Sequence, residues 1–171
     1  DLHSFPTRRS SDLLVNKSVL VTALTNQALI EVAKKDDLAY YLEKGKVSKT
    51  SLTVDEKREQ PHLQDIKENK CNAASGYLSL ATFYLSSGWA TDIVDIPFDY
   101  VIMDEASQAL LPMIAASMKL GRKVILIGDQ KQLPPIVLTN EDLINRFGWT
   151  DIIKGFQTIC QNFGFSSFML S

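Results

Sequence analysis

Apolar residues along this chain fall into two rhythms, short unbroken runs and longer stretches spaced at three and four, and the two alternate. The runs at residues 100–103 and 124–127 are rich in β-branched and other apolar side chains, with no polar alternation within either. Such runs suit strands buried on both faces, as in a parallel sheet covered by helices. Each leads into an acid: Asp104 follows the first, and Asp129 follows the second after Gly128. The acids then stand at the carboxyl ends of their strands, the edge of an open α/β sheet at which ligands bind.

The remaining elements follow from the same reading. Residues 19–21 form a strand, followed by a helix with Asn26 as its N-cap and Ala28, Leu29, Val32 and Ala33 on its apolar face. A short helix over residues 38–42 stops at Gly45. Residues 46–74 are polar, carry a proline and show no sustained period, so they read as a connection or small insertion. A strand over 77–84 ends near Ser86, Ser87 and Gly88. Beyond Glu105, a helix places Leu110, Leu111, Ile114, Ala115 and Met118 on one face, holds Pro112 in its first turn and stops at Gly121. A strand over 122–128 comes next, then a proline-stiffened turn to Pro135, helices over 141–147 and 152–163, and a final strand beginning at 167–170. The fold class is α/β, a parallel sheet flanked by helices.

Composition adds few constraints. With 171 residues, 45% hydrophobic and 22% charged, the chain has ordinary globular composition and the length of one domain. A net charge of −2 gives no global argument for nucleic-acid binding and leaves a local basic groove open. Cys71 and Cys160 match no metal-ligand spacing and read as reduced thiols, which suits a cytoplasmic setting. His62 has no ligand-spaced partner and receives no role. No run reaches the roughly 18 apolar residues of a membrane span. Residues 1–13 lack a hydrophobic period; FPTRRSSDL resembles a translated sequencing adapter, which makes this stretch a non-native or disordered tail and leaves 14–171 as the domain. A natural flexible basic tail is the alternative.

Adjacent acids at a strand end have different tasks, because strand alternation points them to different sides. In nucleotide hydrolysis an aspartate holds Mg²⁺, usually through water, and a glutamate orients or deprotonates the attacking water. Asp104 and Glu105 suit those tasks; on their own they equally suit acids at a helix N-terminus. A second strand ending in GDQKQLPP raises the odds, since Asp129 and Gln132 stand beside the first pair if the strands are neighbours. Thr25 and Asn26, at a strand-to-helix turn, suit capping, and also suit contact with a phosphate. Thr82 is likewise open to either use, facing a ligand or its own backbone.

These motifs carry a family resemblance. DEASQ at residues 104–108 resembles a Walker B box, and GDQKQLPP at 128–135 resembles motif III (GDxxQLPP) of superfamily 1 helicases, one helix and one strand away. TALTN at 22–26 and LATFY at 80–84 resemble motifs Ia and Ic of the Upf1/Dna2-like branch. The resemblance runs from about residue 15 to 171 and implies a RecA-like P-loop NTPase domain, the first such domain of a DNA/RNA helicase using ATP and Mg²⁺. It implies that Asp104 coordinates Mg²⁺, that Glu105 is the water-activating base, and that Gln132 senses the γ-phosphate. Asp129 would link the nucleotide site to the nucleic-acid track, and Gly128 would line the nucleotide site. Thr25, Asn26 and Thr82 would touch the backbone of single-stranded DNA or RNA, giving salt-dependent binding of low sequence specificity.

The chain departs from the family pattern in one box. No GxxxxGK[ST] occurs, so the loop that cradles the β- and γ-phosphates is expected outside these residues, as is the second RecA-like domain with its arginine finger. The expectation is a fragment, incomplete without its Walker A strand and inactive alone, from a parent helicase of the 5′-to-3′ type. Two other classes remain: a non-catalytic RecA-like module binding nucleic acid or protein, and an ATPase of another P-loop branch. The retained Glu105 speaks against the first. The choice between DNA and RNA stays open.

Overall fold

The computed structural model describes residues 16–67, 70–129 and 131–162. At its centre is strand β1 (Val19–Ala23), every residue of which is buried. Val19 and Val21 pack into one apolar cluster with Leu29, Ile30, Leu78 and Leu80, whereas Leu20 packs into another with Trp89, Phe98, Val101 and Leu120. This is the two-faced burial that an unbroken apolar run predicts.

Six strands form one parallel sheet among the described residues: β1, β2 (Val47–Thr50), β3 (Gln64–Ile66), β4 (Leu78–Thr82), β5 (Phe98–Met103) and β6 (Gly121–Leu126). Their spatial order is β3-β2-β4-β1-β5-β6. Parallel pairing brings all carboxyl ends to one edge, with Ala23 opposite Thr82, Thr22 opposite Met103, and Met103 opposite Leu126. At the other end Asp99 ties β5 to the residue before β1: its carboxylate accepts from the Ser18 backbone N–H at 3.0 Å, and its own N–H donates to the Ser18 hydroxyl at 3.0 Å.

The helices are α1 (Asn26–Ala33), α2 (Ala39–Glu43), α3 (Val54–Glu59), α4 (Phe83–Asp92), α5 (Leu111–Leu120), α6 (Glu141–Phe147), α7 (Thr150–Ile153) and α8 (Gly155–Asn162). A third cluster joins α5 and α8 to the site edge of the sheet, where Met113, Ile114, Phe156 and Ile159 meet Phe83, Met103 and Ala106. None of the helices among the described residues is long and apolar enough to cross a membrane.

Several expected boundaries move. Thr25, not Asn26, is the N-cap of α1, its hydroxyl accepting from the Ala28 N–H at 3.1 Å. The strand expected over 77–84 ends at Thr82, which caps a helix containing Ser86, Ser87 and Gly88. Ser86 is accommodated there because its hydroxyl donates to the Phe83 carbonyl at 3.1 Å and lies 3.3 Å from that of Thr22. Helix α5 does keep Pro112 in its first turn, but buries Met113, Ile114, Ser117 and Leu120 while Ala115 is exposed. Gly121 is not a left-handed stop: it is extended and opens β6, and a Cβ there would come within 2.6 Å of Val101 Cγ2. The helix expected over 152–163 is two pieces, α7 and α8. Residues 1–13 and 167–170 lie outside the described residues.

The polar segment 46–74 supplies β2, β3 and α3 to the structure. Strand β2 tolerates a buried lysine because Lys49 Nζ lies 3.2 Å from Glu56 Oε1, with the lysine side chain 1% exposed. Glu56 also accepts from the Thr53 N–H at 2.8 Å, completing a capping box that starts α3. Cys71 and Cys160 are free thiols, and burial raises the pKa of the Cys71 thiol.

Candidate nucleotide and nucleic-acid site

The site edge is built where β1, β4, β5 and β6 end. Beyond Met103 the chain turns sharply. Asp104 donates its N–H to the Thr22 carbonyl at 2.8 Å, and its carboxylate accepts from the Glu105 N–H at 3.0 Å. Glu105 is exposed and left-handed, with φ 53° and ψ 36°. For a residue with a Cβ that conformation costs of order 1–3 kcal/mol, and such strain clusters at functional turns. A single 3-10 turn (Ala106–Gln108) follows, with Ala106 and Ser107 buried.

The end of β6 is bonded directly to this turn. Ile127 donates to the Met103 carbonyl at 2.9 Å and accepts from Ala106 at 2.7 Å. The side chains continue the connection: Ser107 Oγ donates to Gln132 Oε1 at 3.0 Å, and Gln108 Nε2 donates to the Leu133 carbonyl at 3.0 Å. Asp129 is turned onto its own loop, its carboxylate accepting from the Lys131 N–H at 2.8 Å and its carbonyl from the Gln132 N–H at 3.1 Å. Gly128, Asp129 and Gln132 are all exposed. The DEASQ and GDxxQLPP segments therefore form one surface, as expected if β5 and β6 are neighbours.

On the other side of β1, Thr25 and Thr82 hold matching places, each capping the helix that leaves its strand; Thr82 Oγ1 accepts from the Leu85 N–H at 3.4 Å. The register of Ala23 with Thr82 brings the two caps to adjacent strand ends, with Asn26 exposed beside Thr25. Capping uses each hydroxyl as an acceptor and leaves its O–H proton available to a second group. The order of these ends along the edge is Thr82, Thr25, Asp104, Asp129.

The oxygen donors at this edge suit a hard cation such as Mg²⁺, which takes one or two protein carboxylates and completes its shell with water and phosphate. No group of three or more potential metal ligands occurs among the described residues, so a purely protein cage is not what this edge offers. Ser107 and Gln108, whose places in the sequence point to no role, make side-chain connections between the motifs. Both lie inside DEASQ, but their reach to residues 25 positions away becomes visible only once β5 and β6 are paired.

Sheet and strand ends define a parallel α/β domain with its motif segments at the carboxyl edge of the strands. Residues 78–140 match the AAA domain family, a segment containing Thr82, Asp104, Glu105, Gly128, Asp129 and Gln132. An ATP-dependent helicase of Methanocaldococcus jannaschii is 36% identical over 76 residues, 44% of this chain and 10% of its own length. The DNA replication ATP-dependent helicase/nuclease DNA2 of Saccharomyces cerevisiae is 50% identical over 40 residues, 23% of this chain and 3% of its own. Helicase SEN1 of the same yeast is 32% identical over 98 residues, 57% of this chain and 4% of its own. The chain is thus similar to superfamily 1 helicases of the Upf1/Dna2-like branch, and the aligned segments span a tenth or less of these curated relatives.

Proposed function

We propose that residues 14–171 are part of the first RecA-like domain of a superfamily 1 helicase, a protein coupling ATP hydrolysis to translocation along and unwinding of nucleic acid. The observation that carries this reading is the direct bonding of the DEASQ turn to the strand that ends in GDxxQLPP, through Ile127, Met103 and Ala106. It supports the reading because it joins the segments that carry Asp104, Glu105 and Gln132.

In this reading Asp104 is the protein ligand for Mg²⁺, which when bound neutralises charge on the β- and γ-phosphates. Glu105 accepts a proton from water as the water oxygen bonds to the γ-phosphorus and the bond to the β-phosphate oxygen breaks, leaving ADP and phosphate. Gln132 hydrogen-bonds at the γ-phosphate, and Gly128 lines the nucleotide site with its backbone. Asp129, on the loop that also carries Gln132, links the nucleotide site to the nucleic-acid track in this reading, and single-stranded DNA or RNA lies with its backbone against the caps at Thr25, Asn26 and Thr82. The phosphate-cradling loop and the arginine finger come from outside these residues, so this polypeptide alone neither hydrolyses ATP appreciably nor unwinds. A cytoplasmic setting accompanies the reading.

Two assays test it. ATP turnover by the 171-residue chain, with and without oligo(dT) or oligo(U), is expected at background; robust nucleic-acid-stimulated turnover overturns the fragment reading. Single-strand binding is expected to weaken steeply with salt. Absence of any binding at low salt removes the assignment of Thr25, Asn26 and Thr82.

A further inference from the structure

We propose that Ser107 is a positioning residue that sets which end of the Gln132 carboxamide faces the nucleotide site. Ser107 is 7% exposed, at the centre of the 3-10 turn after Glu105, and its hydroxyl donates to Gln132 Oε1 at 3.0 Å. A glutamine carboxamide has an acceptor oxygen at one end and two N–H donors at the other. With the oxygen held by Ser107, the NH₂ group is the end left to meet a ligand.

That polarity matters at an anionic ligand. A phosphate oxygen or a developing oxyanion is stabilised by donors held ready for it, and an amide oxygen in the same place repels it. The terminal torsion of a glutamine is broad and roughly two-fold, so an exposed Gln132 without a partner samples both ends. The loop does not need the Ser107 bond to keep its path. Gln108 already holds the Leu133 carbonyl, Asp129 accepts from Lys131 and Gln132, and Ile127 is bonded on both sides to the DEASQ turn. What remains for Ser107 is the orientation of one side chain. The inference rests on the reading of Gln132 as the residue that meets the γ-phosphate.

The test is nuclear magnetic resonance on the ¹⁵N-labelled full chain, with the Gln132 NH₂ signal assigned by its loss in Gln132→Ala. The wild-type NH₂ is expected to be ordered, with an order parameter close to the ~0.85 of rigid backbone, falling below ~0.6 in Ser107→Ala. Ser107→Thr, which keeps the hydroxyl, is expected to retain the order, and the backbone amides of residues 131–133 are expected to stay unchanged in both variants. A wild-type NH₂ that is already mobile overturns the proposal, as does loss of order in the backbone of 131–133 along with the side chain in Ser107→Ala. Adding Mg²⁺ with a non-hydrolysable ATP analogue separates the two ideas. If the analogue shifts the backbone amides of residues 104–107 but not the ordered NH₂ signal, the phosphate-sensing reading of Gln132 fails while its hold by Ser107 stands.

Discussion

Gly128 is packed so tightly against Ser107 that a methyl group in place of its hydrogen would come within 2.8 Å of the Ser107 backbone nitrogen. The same methyl group would lie 3.2 Å from two ring carbons of Phe156. Backbone on one side and a buried ring on the other leave little room to relax. Gly128→Ala is therefore expected to lower stability by about 1–3 kcal/mol, the usual cost of overpacking. Urea unfolding checks it; a loss below about 0.5 kcal/mol would show that the two motif turns can part at little cost.

Lys49 and Glu56 form a pair with side chains 1% and 13% exposed. Removing one partner leaves a charge stranded, so Glu56→Ala is expected to cost about 3–5 kcal/mol. Replacing both, as Lys49→Met with Glu56→Leu, should recover most of that loss, less about 1 kcal/mol for the capping box. If single and double variants unfold at the same urea concentration, the pair is not coupled.

Asp99 gives stability a defined acid dependence. The Ser18 backbone N–H, aided by Lys17 and the Ser18 hydroxyl, holds its carboxyl below the usual aspartate range. A depressed folded-state value means the contribution is complete above the unfolded value of about 4 and is lost as pH falls through the folded value. Asp99→Asn is expected to be less stable than wild type at pH 7, with the gap closing below about pH 4. Urea midpoints measured from pH 2.5 to 7 would show this; a constant gap would mean that the carboxylate charge is not involved.

Thr25 separates capping from ligand contact. Thr25→Ala should destabilise by about 1 kcal/mol, whereas Thr25→Asp keeps a capping oxygen and should leave stability within about 0.5 kcal/mol of wild type. If the cap also lies against a nucleic-acid backbone, the new negative charge should weaken single-strand binding by about tenfold at low salt. Equal affinity of Thr25→Asp and wild type would reduce Thr25 to a cap alone.

Glu105 is predicted to be dispensable for folding. Its side chain is exposed and its backbone is left-handed. Glu105→Gly should hold or raise the thermal midpoint by relieving that conformation, an effect of about 1 kcal/mol. Glu105→Gln in a chain extended to include a phosphate-binding loop and second domain should abolish turnover yet bind nucleotide. Retained turnover would remove its assignment as base.

The parts of this structure that were legible in the sequence are those where burial leaves a continuous apolar run. Strands β1, β5 and β6 fall where Val19, Val101 and Ile125 predict them, with Asp104 and Asp129 beyond the ends of β5 and β6, but β6 lies at the sheet edge and its apolar run is only partly buried instead of covered on both faces. Strand β2 was not legible, because VSKT looks like surface until Glu56 is known to neutralise Lys49. Helix α4 was hidden for another reason. Thr82 is at once the end of an apolar strand and the cap of the next helix, so no loop marks the junction. At the site, residue types at strand ends were readable from the chain. Ser107 and Gln108 were not given a role, since only a paired β5 and β6 bring Gln132 and Leu133 within their reach.

The strand order has a kinetic consequence. Neighbouring strands β1 and β5 are joined near their starts by residues 81 apart in the chain, Ser18 and Asp99, and β4 lies between β1 and β2 although β2 and β3 precede it in the chain. Such pairings bear their loop-closure entropy before any contact rewards them, so this sheet belongs to the slow-folding topologies. The edge carrying Thr25, Thr82, Asp104 and Gln132 draws on the ends of β4, β1, β5 and β6, so it exists only once those four strands have paired. A chain in which these four have not paired would have no site, and ligand binding there would report their pairing.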